Sequence, residues 1–401
     1  MQQYSEDMVG LYIHVPYCTK ICPYCDFNTY AIRQVPEADY IASLITEVEL
    51  LAVEYGLQEK EISSIFYGGG TPSLLSREAL TRLHEALSRT FTINWDNIEV
   101  SLEANPQDIT AQYANDLRRV GINRVSLGVQ SLSPSILTLL GREHTAENVK
   151  HAVTRLQEAS FENINMDLIF GTPEHSQEML TRDIEGFIAL HPSHISTYSL
   201  TIERGTPFFQ AVASGTFTPP PDELVREQYE CIMKSLPEFG FYQYEVSNFA
   251  RSGFQCVHNE QYWTRKSYLG LGPGAHSFLN DRNIRWANVR RPDEYRAQLA
   301  GHHLPTAWSE HLTREDAVSE ILMLGLRLTE GLALIEPFSL LSAGEAERLS
   351  NRLEALEDEG LGTHIREKGR FSLTNDGLCV ADSIISDLIA STIETSETTD
   401  G

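Results

Sequence analysis

The sequence predicts an α/β fold: a partial barrel or open parallel sheet, followed by a smaller, mostly helical, winged-helix-like domain. Three observations carry this. Apolar, β-branched runs recur at 11–15, 62–67, 98–102, 124–129, 164–170 and 194–200, with helical periodicity between them. A proline-rich break, Thr218-Pro-Pro-Pro-Asp222, ends that series. Beyond Thr306 the pattern turns mostly helical. Alternating strands and helices imply a parallel sheet covered by helices. Six repeats are too few for a closed eight-stranded barrel.

Taken in order, Ile41, Leu44, Ile45, Val48 and Leu51 follow helical spacing and place a helix after the first strand. Ser133-Pro134 reads as an N-cap with proline in the first turn. A helix is expected over 222–239, then a segment rich in glycine and aromatics over 240–278. Thr313-Arg-Glu-Asp316 resembles a capping box opening a helix over 317–328. A second helix is expected over 342–359, and a hairpin over 364–373 turning at Lys368-Gly369. The Ser/Thr/Glu-rich stretch 391–401 reads as a disordered tail. The expected divisions are 1–210, 211–305, 306–390 and 391–401.

The chain has 401 residues, 41% of them hydrophobic, which suits two or three folded domains. Its formal charge of −25 repels phosphate backbones, so no nucleic-acid partner is expected. The start lacks a basic stretch followed by an apolar core, so a cytoplasmic location is expected. Six cysteines are too few for a disulfide framework at this length.

Three of them cluster in Tyr12-Ile-His-Val-Pro-Tyr-Cys18-Thr-Lys-Ile-Cys22-Pro-Tyr-Cys25-Asp-Phe27. Pro16 and Pro23 argue for a loop rather than a helix. Thiolates suit zinc or an iron–sulfur cluster. A protein-ligated [4Fe–4S] cubane usually takes four cysteines. Three leave one iron open to chelate the amino and carboxylate groups of S-adenosylmethionine (SAM). One electron from the cluster then cleaves a C–S bond to give an adenosyl radical. The rival is a structural Cys₃His zinc site using His14.

Other chemistry-bearing residues gather at strand ends, where ligands bind in α/β barrels. Tyr67-Gly68-Gly69-Gly70-Thr71-Pro72 follows the second strand, and no Gly-Lys-Ser/Thr makes it a P-loop. Glu103 ends the third strand and Gln130 the fourth, Arg142 follows, and Asp167 lies on the fifth.

Together these residues resemble the radical-SAM family that includes oxygen-independent coproporphyrinogen oxidase, over nearly the whole chain. The resemblance implies a partial (β/α)₆ barrel with a C-terminal helical domain. Carried over by motif, Cys18, Cys22 and Cys25 would ligate the cluster. Tyr12, Gly69, Gly70, Thr71, Glu103, Gln130, Arg142 and Asp167 would contact SAM. The glycine run would reach its methionine part; Glu103, Arg142 and Asp167 would meet its charged and hydroxyl groups. The family's oxidases carry a fourth cysteine two places after the third, where this chain has Phe27.

The Cys-Asp-Phe ending is similar to the family's haem-chaperone branch. So are His258-Asn-Glu-Gln-Tyr-Trp263, Gln243-Tyr-Glu-Val-Ser-Asn-Phe-Ala250 and Gly270-Leu-Gly-Pro-Gly-Ala-His-Ser277. That likeness implies haem as cargo, contacted by His258, Tyr262 and Trp263, with Cys256 as a further thiolate donor. The implied partners are acceptor haemoproteins and an electron donor; a homodimer and peripheral membrane contact stay open. The alternative is the oxidase reaction, radical decarboxylation of coproporphyrinogen III to protoporphyrinogen IX. One departure is Gly171-Thr-Pro-Glu-His175, where the family more often reads Gly-Leu-Pro.

Overall fold

In the computed structural model, which describes residues 8–393, each expected run forms a strand: β1 (Val9–Val15), β2 (Ile62–Gly69), β3 (Glu99–Ala104), β4 (Arg124–Gln130), β5 (Asn163–Phe170) and β6 (His194–Ser199). They pair in chain order and all in parallel. The helices Glu37–Glu54, Arg77–Thr90, Ala111–Arg119, Ala146–Glu158 and Gln177–Ala189 make the crossovers. Burial is nearly continuous along β1 and β2, as expected of strands covered on both faces.

The sheet curls. Tyr12, Phe66, Glu103, Arg124, Asp167 and Ser196, one from each of β1 to β6, wall a single cavity. Six strands about 4.8 Å apart would span about 24 Å if flat, too wide for one cavity to touch all of them. The curl stops short of closure, because β1 and β6 each take a different neighbour.

The stretch 240–278 holds more order than its composition suggests. Asn248–Ala250 (β7) pairs antiparallel with β6, and Tyr242–Gln243 pairs with β7. Tyr268–Leu271 (β8) is a seventh parallel strand, on the other side of β1. His276–Leu279 (β9), Ile284–Asn288 (β10) and Thr306–His311 (β11) extend the sheet antiparallel, to twelve strands among the described residues. A Cβ on Gly270 would lie 2.1 Å from the His276 carbonyl oxygen, so only glycine lets β8 and β9 come together.

The C-terminal region is the expected winged-helix-like arrangement. The helices Arg314–Gly325, Ala343–Asp358 and Ala381–Thr392 pack with a three-stranded sheet of Leu332–Ala333, Arg370–Leu373 and Gly362–Ile365. The Thr313–Asp316 capping box forms, and starts its helix three residues earlier than the apolar pattern indicates. Gly369, at φ +61°, makes the hairpin turn. The expected tail begins inside the last helix, which runs to Thr392; residues 394–401 lie outside the described residues. Among the described residues no helix is long and apolar enough to cross a membrane.

Candidate functional site

The cysteine segment is a loop, as Pro16 and Pro23 require. Tyr17–Cys18 pairs in parallel with Tyr30–Ala31 and ties its two ends together. Cys18, Cys22 and Cys25 line a cavity of about 540 Å³ that lies inside the curl of β1 to β6 and reaches as deep as Arg124 at the start of β4. Every expected SAM residue lines the same cavity: Tyr12, Gly69, Gly70, Thr71, Glu103, Gln130, Arg142 and Asp167. His258 and Tyr262 reach it as well, but Trp263 does not.

All three thiols have polar neighbours, Cys25 in the Phe27 backbone and the Thr29 side chain. Thr71 Oγ1 donates to Cys18 Sγ at 3.3 Å, and Arg142 Nη1 to Cys22 Sγ at 3.5 Å. Burial raises the Cys18 and Cys25 thiols above their ordinary pKa. A bound iron offsets that cost, since coordination deprotonates a thiol outright. Among the described residues no three His, Cys, Asp or Glu side chains converge as ligands of one ion would. A cubane's cysteines bind three different irons and need not converge on a point. The zinc alternative also lacks its fourth ligand: His14 Nδ1 meets Tyr12 Oη at 3.0 Å, and Nε2 meets the Asn28 carbonyl at 2.9 Å. The donor set therefore fits a three-cysteine cluster better than Cys₃His zinc.

The opposite wall offers charge and unmet polar groups. Glu103 Oε2 accepts from the Gly69 amide at 3.1 Å. Burial first, then the Asp167 charge, pushes the Glu103 carboxyl up to about 8. Burial also raises Asp167, against hydrogen bonds from Asn165 and neighbouring serines. Two crowded carboxyls favour a cationic ligand, such as one that carries the sulfonium of SAM. A bulge in β4 holds Gln130 at φ +70°, and its Oε1 is buried without a partner, as is Arg142 Nε. Strained backbone and orphaned polar atoms in a cavity wall mark a ligand's place.

The helix Val257–Trp263 backs this wall. Glu99 caps it, accepting from the Val257 amide at 3.0 Å and the His258 amide at 3.2 Å. Cys256 is fully buried, donates to Glu99 and does not line the site cavity, and burial raises its thiol far above the ordinary value. It is not the further thiolate donor expected above. His258 is 1% exposed, with Nδ1 at 2.7 Å from Ser64 Oγ and Nε2 at 2.9 Å from Tyr262 Oη. Burial first, then Arg124, pushes this imidazole down to about 3, so it stays neutral. Either ring nitrogen must give up a bond before it can ligate iron.

Arg124 is a site residue that motif reading missed. It is 2% exposed, lines the cavity, and leaves Nε without a partner. Its one sequence signal is a charge opening an otherwise uncharged strand. The departure at 171–175 lies off the cavity walls: the Gly171 amide and the His175 carbonyl both bond Gln228 on the helix Asp222–Glu238.

A radical SAM superfamily model matches residues 12–185, and a HemN C-terminal domain model matches 312–380. Fold and site thus define a radical-SAM protein of the HemN type. The heme chaperone HemW of Mycobacterium tuberculosis (strain ATCC 25618 / H37Rv) is 37% identical over 95% of this chain and 94% of its own length. The heme chaperone HemW of Bacillus subtilis (strain 168) is 36% identical over 81% of this chain and 85% of its own. Coproporphyrinogen III oxidase (HemN) from Escherichia coli shares the fold, with a TM-score of 0.81 over 96% of this chain and 91% of that one, at 23% identity. The chain belongs to the HemW family.

Proposed function

We propose that this protein binds haem and delivers it to acceptor haemoproteins, with a [4Fe–4S] cluster on Cys18, Cys22 and Cys25 and SAM in the adjoining cavity. The observation that carries the reading is Phe27. It stands where the family's oxidases are expected to place a fourth cysteine, is 64% exposed, and faces the cavity as an apolar ring. The relatives named heme chaperone HemW support the same assignment.

When bound, the cluster supplies one electron to SAM and Lewis-acid binding at its open iron. The chain's own residues do the rest. Thr71 and Arg142 donate to two of the sulfurs, Glu103 and Asp167 hold the ligand's positive charge, and Gln130 presents an unmet acceptor. Haem contact falls to the helix Val257–Trp263 through Tyr262, whose hydroxyl His258 holds.

The test offers cluster-reconstituted protein, anaerobically with SAM and reductant, two substrates in parallel. One is haem with an apo-haemoprotein; the other is coproporphyrinogen III. Haem appearing in the acceptor, without decarboxylation, is the expected result. Multiple turnovers to protoporphyrinogen IX would make the chain an oxidase despite Phe27.

A further inference from the structure

A second cavity, of about 620 Å³, lies on the far side of Tyr12, Phe27 and Tyr262, which line both. Its volume is in the range of sites for drug-sized ligands and cofactors. Tyr268 and Trp308 complete an aromatic lining. Two polar groups on it have no assigned work. His276 is exposed and stands edge-on to Trp308, with ring centroids 5.6 Å apart. Neither of its ring nitrogens has a hydrogen-bond partner among the described residues. Arg290 reaches the rim; its Nε donates to Asn28 Oδ1 at 3.4 Å, and no carboxylate pairs with it among the described residues.

The wall is built rather than incidental. Asn28 Nδ2 donates to the carbonyls of Pro273 and Arg290, at 2.9 Å each, and so ties the cysteine loop to the β8–β9 hairpin and to the chain after β10. On the buried side, the Gly272 amide and Asn288 Nδ2 donate to Glu47 and fix the hairpin that carries His276. Partial burial, then Arg285 and Arg290, lower the His276 pKa below its ordinary value and keep a lone pair free.

We propose that this second cavity is the haem seat, with His276 as the iron ligand, aromatic rings against the porphyrin faces and Arg290 facing a propionate. The inference rests on the haem-binding reading above and names the site for it. An aromatic slot suits a flat apolar macrocycle. A free imidazole suits its iron. An unpaired guanidinium at the rim suits a carboxylate that stays near water. His258 has both nitrogens engaged, and it serves as a positioning residue that acts through Tyr262. Phe27, two residues after Cys25, stands between the cluster cavity and the haem.

The full-length protein is titrated with hemin and, separately, with metal-free protoporphyrin IX. Absorbance follows the first and fluorescence the second. For His276→Ala, a shifted Soret band and about tenfold weaker hemin binding are expected, with protoporphyrin IX affinity nearly kept, since only the iron bond is lost. Ala307→Trp, on the exposed edge strand β11, fills the cavity and is expected to abolish binding of both porphyrins. Far-UV circular dichroism confirms that each variant is folded. Wild-type hemin affinity and Soret position in His276→Ala would overturn this site while leaving haem binding intact. So would a Soret band that moves with His258→Ala instead. A wild-type chain that binds no hemin would overturn the haem reading itself.

Discussion

Glu47 shows how a single side chain commits the molecule to a pH range. Its carboxyl is fully buried and accepts from the Gly272 amide at 2.8 Å, Tyr295 Oη at 2.5 Å and Asn288 Nδ2 at 2.5 Å. Burial outweighs these bonds and pushes the carboxyl up to about 7. A carboxyl raised on folding contributes stability that is complete below its unfolded pKa and is lost as pH rises through the folded one. The loss therefore falls between pH about 4.5 and 7 and amounts to about 3 kcal/mol at most. Melting temperature should fall across that window and level off above it, and Glu47→Gln should flatten the fall. An unchanged slope in the variant would move the effect to another buried acid, such as Glu245.

At the scale of elements, the glycine run decides how closely β1 and its loop approach β2. A Cβ on Gly70 would lie 2.7 Å from the Tyr17 carbonyl oxygen and 2.8 Å from that of Val15, both backbone atoms that cannot swing away. Gly70→Ala should cost about 1–3 kcal/mol by overpacking, read from the denaturant midpoint. Because Tyr17 precedes Cys18, iron bound after reconstitution should fall too. Full iron content in a destabilised variant would separate the glycine's packing role from the cluster. Caps are the other local device: Thr313→Ala removes the acceptor for the Asp316 amide and should cost about 1 kcal/mol. A thermal melt of that variant checks it.

For the whole molecule, one contiguous core runs from Val9 to Leu388, and takes in Leu353 and Phe371 of the C-terminal helices and hairpin. Backbone bonds cross the junction, from the Val246 amide to the Arg327 carbonyl and from the Thr329 amide to the Tyr244 carbonyl. The tryptophans, Trp95, Trp263, Trp286 and Trp308, all precede the C-terminal helices, while far-UV circular dichroism sees every helix. Urea unfolding followed by the two signals should give coincident transitions. A circular-dichroism transition at lower urea than the fluorescence one would show the C-terminal region melting on its own.

Local chemistry made much of this protein legible in its sequence. Proline and caps marked helix starts, apolar runs placed six of the seven parallel strands, and the spacing of Cys18, Cys22 and Cys25 marked the loop proposed to hold the cluster. Those features depend on neighbours a few residues apart. The rest depends on pairs far apart in the chain. His258 reads as a free ligand beside Tyr262 and Trp263, yet Ser64, 194 residues away, occupies its Nδ1. Arg124 reads as a strand's first residue, yet the curl of the sheet carries it into the cavity. His276 stands out only because β11 brings Trp308 beside it and no partner reaches its nitrogens. Residue types and spacings select the chemistry available; burial and hydrogen-bond partners, set by tertiary packing, select which groups are left free to perform it.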